Sequence, residues 1–304
     1  MSDDARYAAI VARDRRFDGV FYVGVSTTGI YCRPICPVRT PGRTRCTFYA
    51  TAANAERAGY RACFRCRPEL APGHAVIDAV DTLVASATRR IAEGALNDES
   101  IDDLARELGV TGRHLRRAIE SRLGVSPVEL AQTRRLALAK QLLQDTQLPI
   151  TEIAFAAGFR SVRRFNASFA QRMRSAPTSV RRHAGGDAQY DRVALRLDYR
   201  PPYDWARMLG FLAPRAVPGV ERLANESYNR VVYLGGATGE LTVRHAKARD
   251  ALELEVTPSL LPVLMPLVAR VRRMFDLDAR PDLIDAALRR DRSLAPLVEK
   301  RPGL

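Results

Sequence analysis

No run of about 18 apolar residues occurs in the 304-residue sequence, so no transmembrane helix is expected. The opening residues, MSDDARYAAIVARDRRFDG, are too polar and too acidic for a secretory leader. A cytoplasmic protein with reduced thiols is therefore expected. Cysteine is absent after residue 66, so any cysteine chemistry belongs to the N-terminal quarter. Acidic residues are scarce in the first two thirds: residues 1–185 hold 29 Lys+Arg against 18 Asp+Glu, whereas residues 186–304 hold 19 against 16. The net charge of +14 is thus concentrated at the front, and Arg dominates there. Arg meets phosphate through a planar fork of donors, and a basic surface suits nucleic acid or an anionic membrane. A merely solvated basic surface would give the same count. With 46% hydrophobic and 27% charged residues, the composition is that of a soluble globular chain, long enough for two or three domains.

Four of the five cysteines form two close pairs, Cys32 and Cys36 in C-R-P-I-C and Cys63 and Cys66 in C-F-R-C, with 26 residues between the pairs. Two short pairs separated by a strand-and-helix spacer suit a tetrahedral zinc site, each pair spanning one edge of the tetrahedron. A disulfide framework or buried free thiols would use the same residues, but a reducing compartment disfavours the first. Arg33, Arg39, Arg61, Arg65 and Arg67 crowd these pairs, with Arg43 and Arg45 in the spacer. They could neutralise a zinc-thiolate cluster or present it to phosphate. Zinc-bound thiolate stays deprotonated at neutral pH and is available as a nucleophile. Cys46, in R-C-T-F-Y-A, reads as a packed thiol on a short strand.

The stretch F-D-G-V-F-Y-V-G-V-S-T-T-G-I-Y-C-R-P-I-C through F-R-C-R-P resembles the N-terminal domain of the Ada adaptive-response family over roughly residues 5–75. The resemblance implies that Cys32 irreversibly accepts a methyl group from a DNA methylphosphotriester. It implies one zinc ion, structural and catalytic at once, held by Cys32, Cys36, Cys63 and Cys66. The family's phosphate contacts map onto Thr28, Arg39, Arg61 and Arg65. Methylating one sulfur removes one unit of negative charge from the site, which should strengthen DNA binding in a salt-dependent way.

Next comes a helical pattern. Residues 75–94 carry an apolar stripe of Val76, Ile77, Val80, Leu83 and Val84. Ser100 caps a helix with Ile101, Leu104, Ala105 and Leu108 on one face, Gly109 breaks it, and Thr111 opens a second helix placing Leu115 and Ile119 inward. The pattern recurs about 49 residues later: Ile150, Ile153, Ala154 and Ala157, then Gly158, then Phe165 and Phe169. Between the units, Ser126-Pro127-Val128-Glu129 is a capping box opening a long helix to about Gln144. Two helix-turn-helix units on a connecting helix resemble the AraC/XylS DNA-binding domain over about residues 80–182. Each second helix would enter a major groove, N-terminal residues nearest the bases. Candidate contacts are Arg113, His114, Arg116 and Arg117 in the first unit, and Ser161, Val162, Arg163, Arg164 and Asn166 in the second. Several of these Arg would serve phosphate equally well.

After a linker at 184–192, V-A-L-R-L-D-Y and L-E-L-E-V alternate as strands, with more strand around Gly235, Gly236 and Gly239, and L-P-V-L-M-P-L-V-A-R-V-R-R-M-F-D-L reads as a helix. L-D-Y-R-P-P-Y-D-W-A-R-M-L-G-F-L-A-P-R resembles the N-terminal region of AlkA-type 3-methyladenine DNA glycosylases, a base-flipping family, and the likeness continues to the end at residue 304. No L-P-G-V-G-like hairpin and no Pro-Cys-His-Arg motif occurs. Asp276 and Asp282 match no catalytic motif and read as helix caps or surface charges, so glycosylase activity is not expected.

The expected architecture is multidomain α+β. It comprises a small four-cysteine zinc α/β domain (1–75), an all-α tandem helix-turn-helix domain (76–183), and a C-terminal α+β domain with an antiparallel sheet (193–304) that lacks the catalytic helix-hairpin-helix domain. The expected function is an alkylation sensor and transcriptional activator. It is a single-turnover methyltransferase acting on double-stranded DNA, both promoter and methylated backbone, with RNA polymerase as a further partner. Its expected place is the bacterial cytoplasm, at the nucleoid. The alternatives are an activator with a purely structural zinc site, or the regulatory half of a bifunctional glycosylase.

Overall fold

A computed structural model describes residues 1–72, 82–181, 190–246 and 248–302. The expected linker at 184–192 falls largely outside the described residues, as do Val76, Ile77 and Val80 of the expected helix at 75–94. No helix among the described residues is long and apolar enough to cross a membrane.

The N-terminal domain begins with α1 (Asp3–Ala12), capped by the Ser2 side chain. Strands β1 (Tyr22–Val25), β2 (Ile30–Cys32) and β3 (Cys46–Tyr49), helix α2 (Ala52–Arg57) and the two-residue β4 (Arg61–Ala62) follow. The sheet order is β3-β1-β2-β4, with β4 parallel to β2 and the other pairs antiparallel. A small core gathers Ala9, Ile10, Phe21 and Val23 around the five cysteines. Gly19 sits at φ +74°, where a Cβ would lie 1.9 Å from the Pro72 carbonyl oxygen, so only glycine lets these two segments meet.

The helical domain runs from α3 (Thr82–Ala92) and α4 (Ala95–Asp98) to α5 (Ile101–Glu107), α6 (Gly112–Leu123) and α7 (Pro127–Asp145), and then to α8 (Ile150–Ala156), α9 (Val162–Met173) and α10 (Pro177–Val180). The expected capping box forms at Ser126/Glu129, and the expected cap at Ser100 forms as a box with Asp103. Gly109 and Gly158 make the turns at φ +73° and +84°. Leu104, Ala105, Leu115 and Ile119 fill one core with Val84, Ile91 and Leu130. Ile153, Ala154, Phe165 and Phe169 fill the matching positions of the second unit, and that core is continuous with the C-terminal domain.

The C-terminal domain is a five-stranded antiparallel sheet of order β5-β9-β8-β7-β6: β5 (Val193–Asp198), β6 (Glu221–Ala224), β7 (Ser227–Leu234), β8 (Ala237–His245) and β9 (Ala251–Val256). Helix α11 (Trp205–Leu212) lies between β5 and β6, and α12 (Leu264–Met274), α13 (Pro281–Leu288) and α14 (Ala295–Lys300) complete the domain. The single helix expected across residues 261–277 is two pieces. A 3-10 turn covers Pro258–Val263, because Pro262 has no N–H to give an α-helical ladder, and α12 starts only at Leu264. The short β6 escaped the sequence reading. Asp276 closes α12 in the left-handed conformation at φ +48°, and Asp282 in the first turn of α13 accepts from Arg280 at 3.0 Å.

Candidate metal centre and nucleic-acid interface

The parallel register of β2 and β4 builds the cysteine cluster. Tyr31 lies opposite Ala62, and the Cys63 N–H donates to the Tyr31 carbonyl at 3.0 Å, so Cys32 and Cys63 leave the sheet side by side. Tight turns then bring back the second member of each pair. The Cys36 N–H donates to the Arg33 carbonyl at 3.1 Å, while Arg65 N–H donates to Cys63 Sγ at 3.3 Å. All four sulfurs lie within 4.8 Å of one another, all four residues are buried, and no disulfide joins them.

The donor set fits a zinc ion. Without a cation the four sulfurs can only share protons. A divalent ion at the centre removes that need, since every sulfur then binds as thiolate. The N–H···S bonds from Arg33 to Cys66 (3.4 Å) and from Arg65 to Cys63 are outer-shell contacts of the kind that orient metal ligands. Cys46 stands apart on β3, where its thiol faces the Gly42 carbonyl at 3.4 Å and burial pushes it up.

The arginines divide into two groups. Arg33 and Arg67 are not displayed to phosphate, contrary to one reading of the arginine crowd. Arg33 is 3% exposed and pairs with Asp18 (Nε–Oδ1 2.8 Å) and Asp198 (2.9 Å). Arg67, also buried, pairs with Glu69 at 3.1 Å and with Asp145. Each has found a carboxylate, because a guanidinium under the surface is tolerated only when paired. Arg39 and Arg65 are exposed, as is Thr28 in the β1–β2 turn. Arg61 is half-buried, its guanidinium 4.9 Å above the Phe64 ring, and its backbone N–H holds the Gly29 carbonyl beside Thr28. Arg61 and Thr28 therefore share one end of the sheet, while Arg65 rides on the cysteine loop itself.

On the helical domain, Arg113, His114, Arg116 and Arg117 are exposed on α6, and Arg163, Arg164 and Asn166 are exposed on α9. Arg116 comes within 3.6 Å of Asp102. Ser161 is the N-cap of α9, its hydroxyl accepting from the Arg164 N–H at 3.4 Å, and Val162 is half-buried beside it.

Three families match in succession: the metal binding domain of Ada over residues 5–69, a helix-turn-helix domain over 104–183, and the AlkA N-terminal domain over 194–304. Segment by segment, the chain is thus similar to an Ada metal-binding domain, a helix-turn-helix domain and an AlkA N-terminal domain. It is similar over its whole length, at 39% identity, to the probable bifunctional transcriptional activator/DNA repair enzyme AlkA of Mycobacterium tuberculosis. The chain spans 62% of that relative. At 33% identity, 52% of the chain matches 43% of the bifunctional transcriptional activator/DNA repair enzyme Ada of Escherichia coli. At 40% identity, 36% of the chain matches 36% of DNA-3-methyladenine glycosylase 2 of the same species.

Several charged residues at the centre of the Ada/AraC-type junction were missed from sequence. Lys140 of α7 is fully buried, its Nζ donating to the Cys63 carbonyl (2.7 Å) and to Glu69 (2.7 Å). Glu69 also holds Arg67, and Arg67 returns to α7 at Asp145. A signal existed: Lys140 falls four residues after Leu136 and three before Leu143, inside the buried stripe of α7. Nearby, the buried Glu56 accepts from Tyr31 at 3.0 Å and from Thr133 of α7 at 2.7 Å, and burial pushes its carboxyl up.

Proposed function

We propose that this protein senses alkylated DNA and activates transcription in response, with the Cys32 thiolate as a one-time methyl acceptor. The observation that carries the reading is the cluster of four buried sulfurs within 4.8 Å on an Ada-type domain, flanked by exposed Thr28, Arg39 and Arg65 and by Arg61. Bound zinc supplies thiolates that persist at neutral pH. Thr28, Arg39, Arg61 and Arg65 hold the phosphates beside the lesion. Cys32 sulfur attacks the methyl carbon of a methylphosphotriester. The S–C bond forms as the methyl C–O bond breaks, and an ordinary phosphodiester anion leaves with the bonding pair. The product is a thioether, so the protein acts once.

Loss of one thiolate charge weakens repulsion between this site and the DNA backbone. The tandem helix-turn-helix, with α6 and α9 in successive major grooves, then holds a promoter more tightly and recruits RNA polymerase. Mass spectrometry of peptides after incubation with methylphosphotriester DNA tests the first step. One added methyl group on Cys32 supports it, and an unmodified Cys32 reduces the site to a structural one. Gel-shift titration at two salt concentrations tests the second. Equal promoter affinity of methylated and unmethylated protein at low salt refutes the electrostatic switch even if transfer occurs.

A further inference from the structure

The reading above leaves the AlkA-type domain without a task, yet buried charges bind it to the metal-binding domain. Its first strand, β5, ends at Asp198, and two side chains from that end cross the boundary. Asp198 Oδ2 accepts from Arg33 Nη1 at 2.9 Å. Arg200, 2% exposed, donates from Nε to the Asp18 carbonyl at 2.8 Å, and also to the carbonyls of Asp278 (2.7 Å) and Ala279 (3.0 Å) in its own domain. Asp18 in turn grips Arg33 from the other side through its carboxylate. Arg33 follows Cys32 directly. Its backbone N–H points at Cys66 Sγ, and its Nη1 donates to the Cys66 carbonyl at 3.2 Å. One guanidinium thus joins the two cysteine pairs, and the AlkA-type domain supplies one of its two carboxylates.

We propose that the AlkA-type domain positions the methyl-acceptor loop, with Asp198 as the positioning residue acting through Arg33. The inference rests on Cys32 being the acceptor. A guanidinium held at both ends has one orientation, and that orientation fixes the N–H···S bond to Cys66 and the path of the chain out of Cys32. Removing one carboxylate leaves Arg33 paired to Asp18 but free to swing. Outer-shell contacts of this kind change metal-site activity by about 10–100-fold.

The test uses the full chain loaded with metal. Asp198→Asn keeps the size of the side chain and an acceptor oxygen, and removes the charge. At saturating methylphosphotriester DNA, the single-turnover rate of transfer should fall about tenfold, with the half-saturating DNA concentration unchanged. Asp198→Glu should recover most of the rate. In cobalt-substituted protein, the sulfur-to-metal charge-transfer band of Asp198→Asn should move away from that of the parent chain. If Asp198→Asn loses metal outright, Arg196→Gln takes its place. Arg196 holds the other Asp198 oxygen at 2.8 Å, and loosening it should move rate and band in the same direction by a smaller amount. A parent-like rate and a parent-like band in the metal-loaded variant overturn the proposal, as does a loss that lies wholly in DNA affinity. Should the parent chain transfer no methyl group, the acceptor reading fails, and the cobalt band alone then decides whether Asp198 reaches the metal site.

Discussion

Replacing Lys140 by methionine keeps an unbranched side chain, one heavy atom shorter, and deletes its charge. Glu69, whose side chain is 2% exposed, is then left with Arg67 alone, and the Cys63 carbonyl loses its donor. In the intact protein burial pushes the Glu69 carboxyl up, but the Lys140 and Arg67 charges outweigh burial and hold it below the usual carboxylate range. Breaking a buried pair from one side costs about 3–5 kcal/mol, because the surviving charge remains out of water. Glu69→Gln should cost a similar amount by stranding Lys140. The double variant, Lys140→Met with Glu69→Gln, strands nothing, since Arg67 keeps Asp145. It should lie within about 2 kcal/mol of the parent chain, giving a coupling energy well above the ~0.5 kcal/mol expected of independent sites. Urea denaturation of the zinc-loaded chain at neutral pH measures this. With a slope of about 2 kcal/mol/M, each single variant should shift the midpoint of the transition that releases the metal-binding domain by about 2 M. Singles that add up in the double variant would show that Lys140 and Glu69 do not act as a unit.

The same pair sets an acid limit. Because the Glu69 carboxyl is depressed in the folded state, its contribution is complete above the ordinary carboxylate value of about 4.3 and is lost as pH falls through the folded value. The stability deficit of Lys140→Met should therefore be largest at neutral pH and shrink as pH falls and Glu69 takes up a proton, and a deficit that does not change with pH would contradict the assignment. Chelation should unfold the metal-binding domain, whose small core is five cysteines with Ala9, Ile10, Phe21 and Val23; unchanged circular dichroism and melting after zinc removal would rule this out. Arg39→Ala should slow methyl transfer with zinc content intact, because Arg39 is exposed and no ligand, and a parent-like rate would remove it from the phosphate site. Gly19→Ala should destabilise the chain by at least ~2 kcal/mol, since its Cβ would meet the Pro72 carbonyl oxygen at a left-handed φ, and a neutral effect in thermal melts would disprove that clash.

The helical domain was legible in the sequence because its signals are local. Ser100, Gly109, Ser126 and Gly158 each act within four residues, and the caps and turns sit where those residues predict. The cysteine cluster was legible for a related reason, since two close pairs constrain each other whatever the fold. The arginine crowd was not. Arg33, Arg39, Arg65 and Arg67 look alike on the page, yet two are buried and two exposed, and besides the nearer Asp18 and Glu69 the buried two rely on Asp198, which lies 165 residues from Arg33, and on Asp145, 78 residues from Arg67. Pairings at that separation leave no periodicity. The 3-10 turn before α12 was misread as α-helix because its apolar residues, Leu260, Leu261 and Val263, suit either form, and Pro262 decides between them.

The connecting helix α7 has 19 residues, which at about 1.5 Å per residue makes a strut of roughly 28 Å. One turn of DNA is about 34 Å. The helix joins the two helix-turn-helix units, and buried charges on its C-terminal half lock the cysteine loop to the same strut. A reader so assembled cannot stretch. On the function proposed above, an operator would have to present both half-sites and the backbone under the cysteines at fixed positions around the duplex. Half a helical turn of DNA inserted between those elements would carry one of them to the far side, and no hinge at α7 would bring it back.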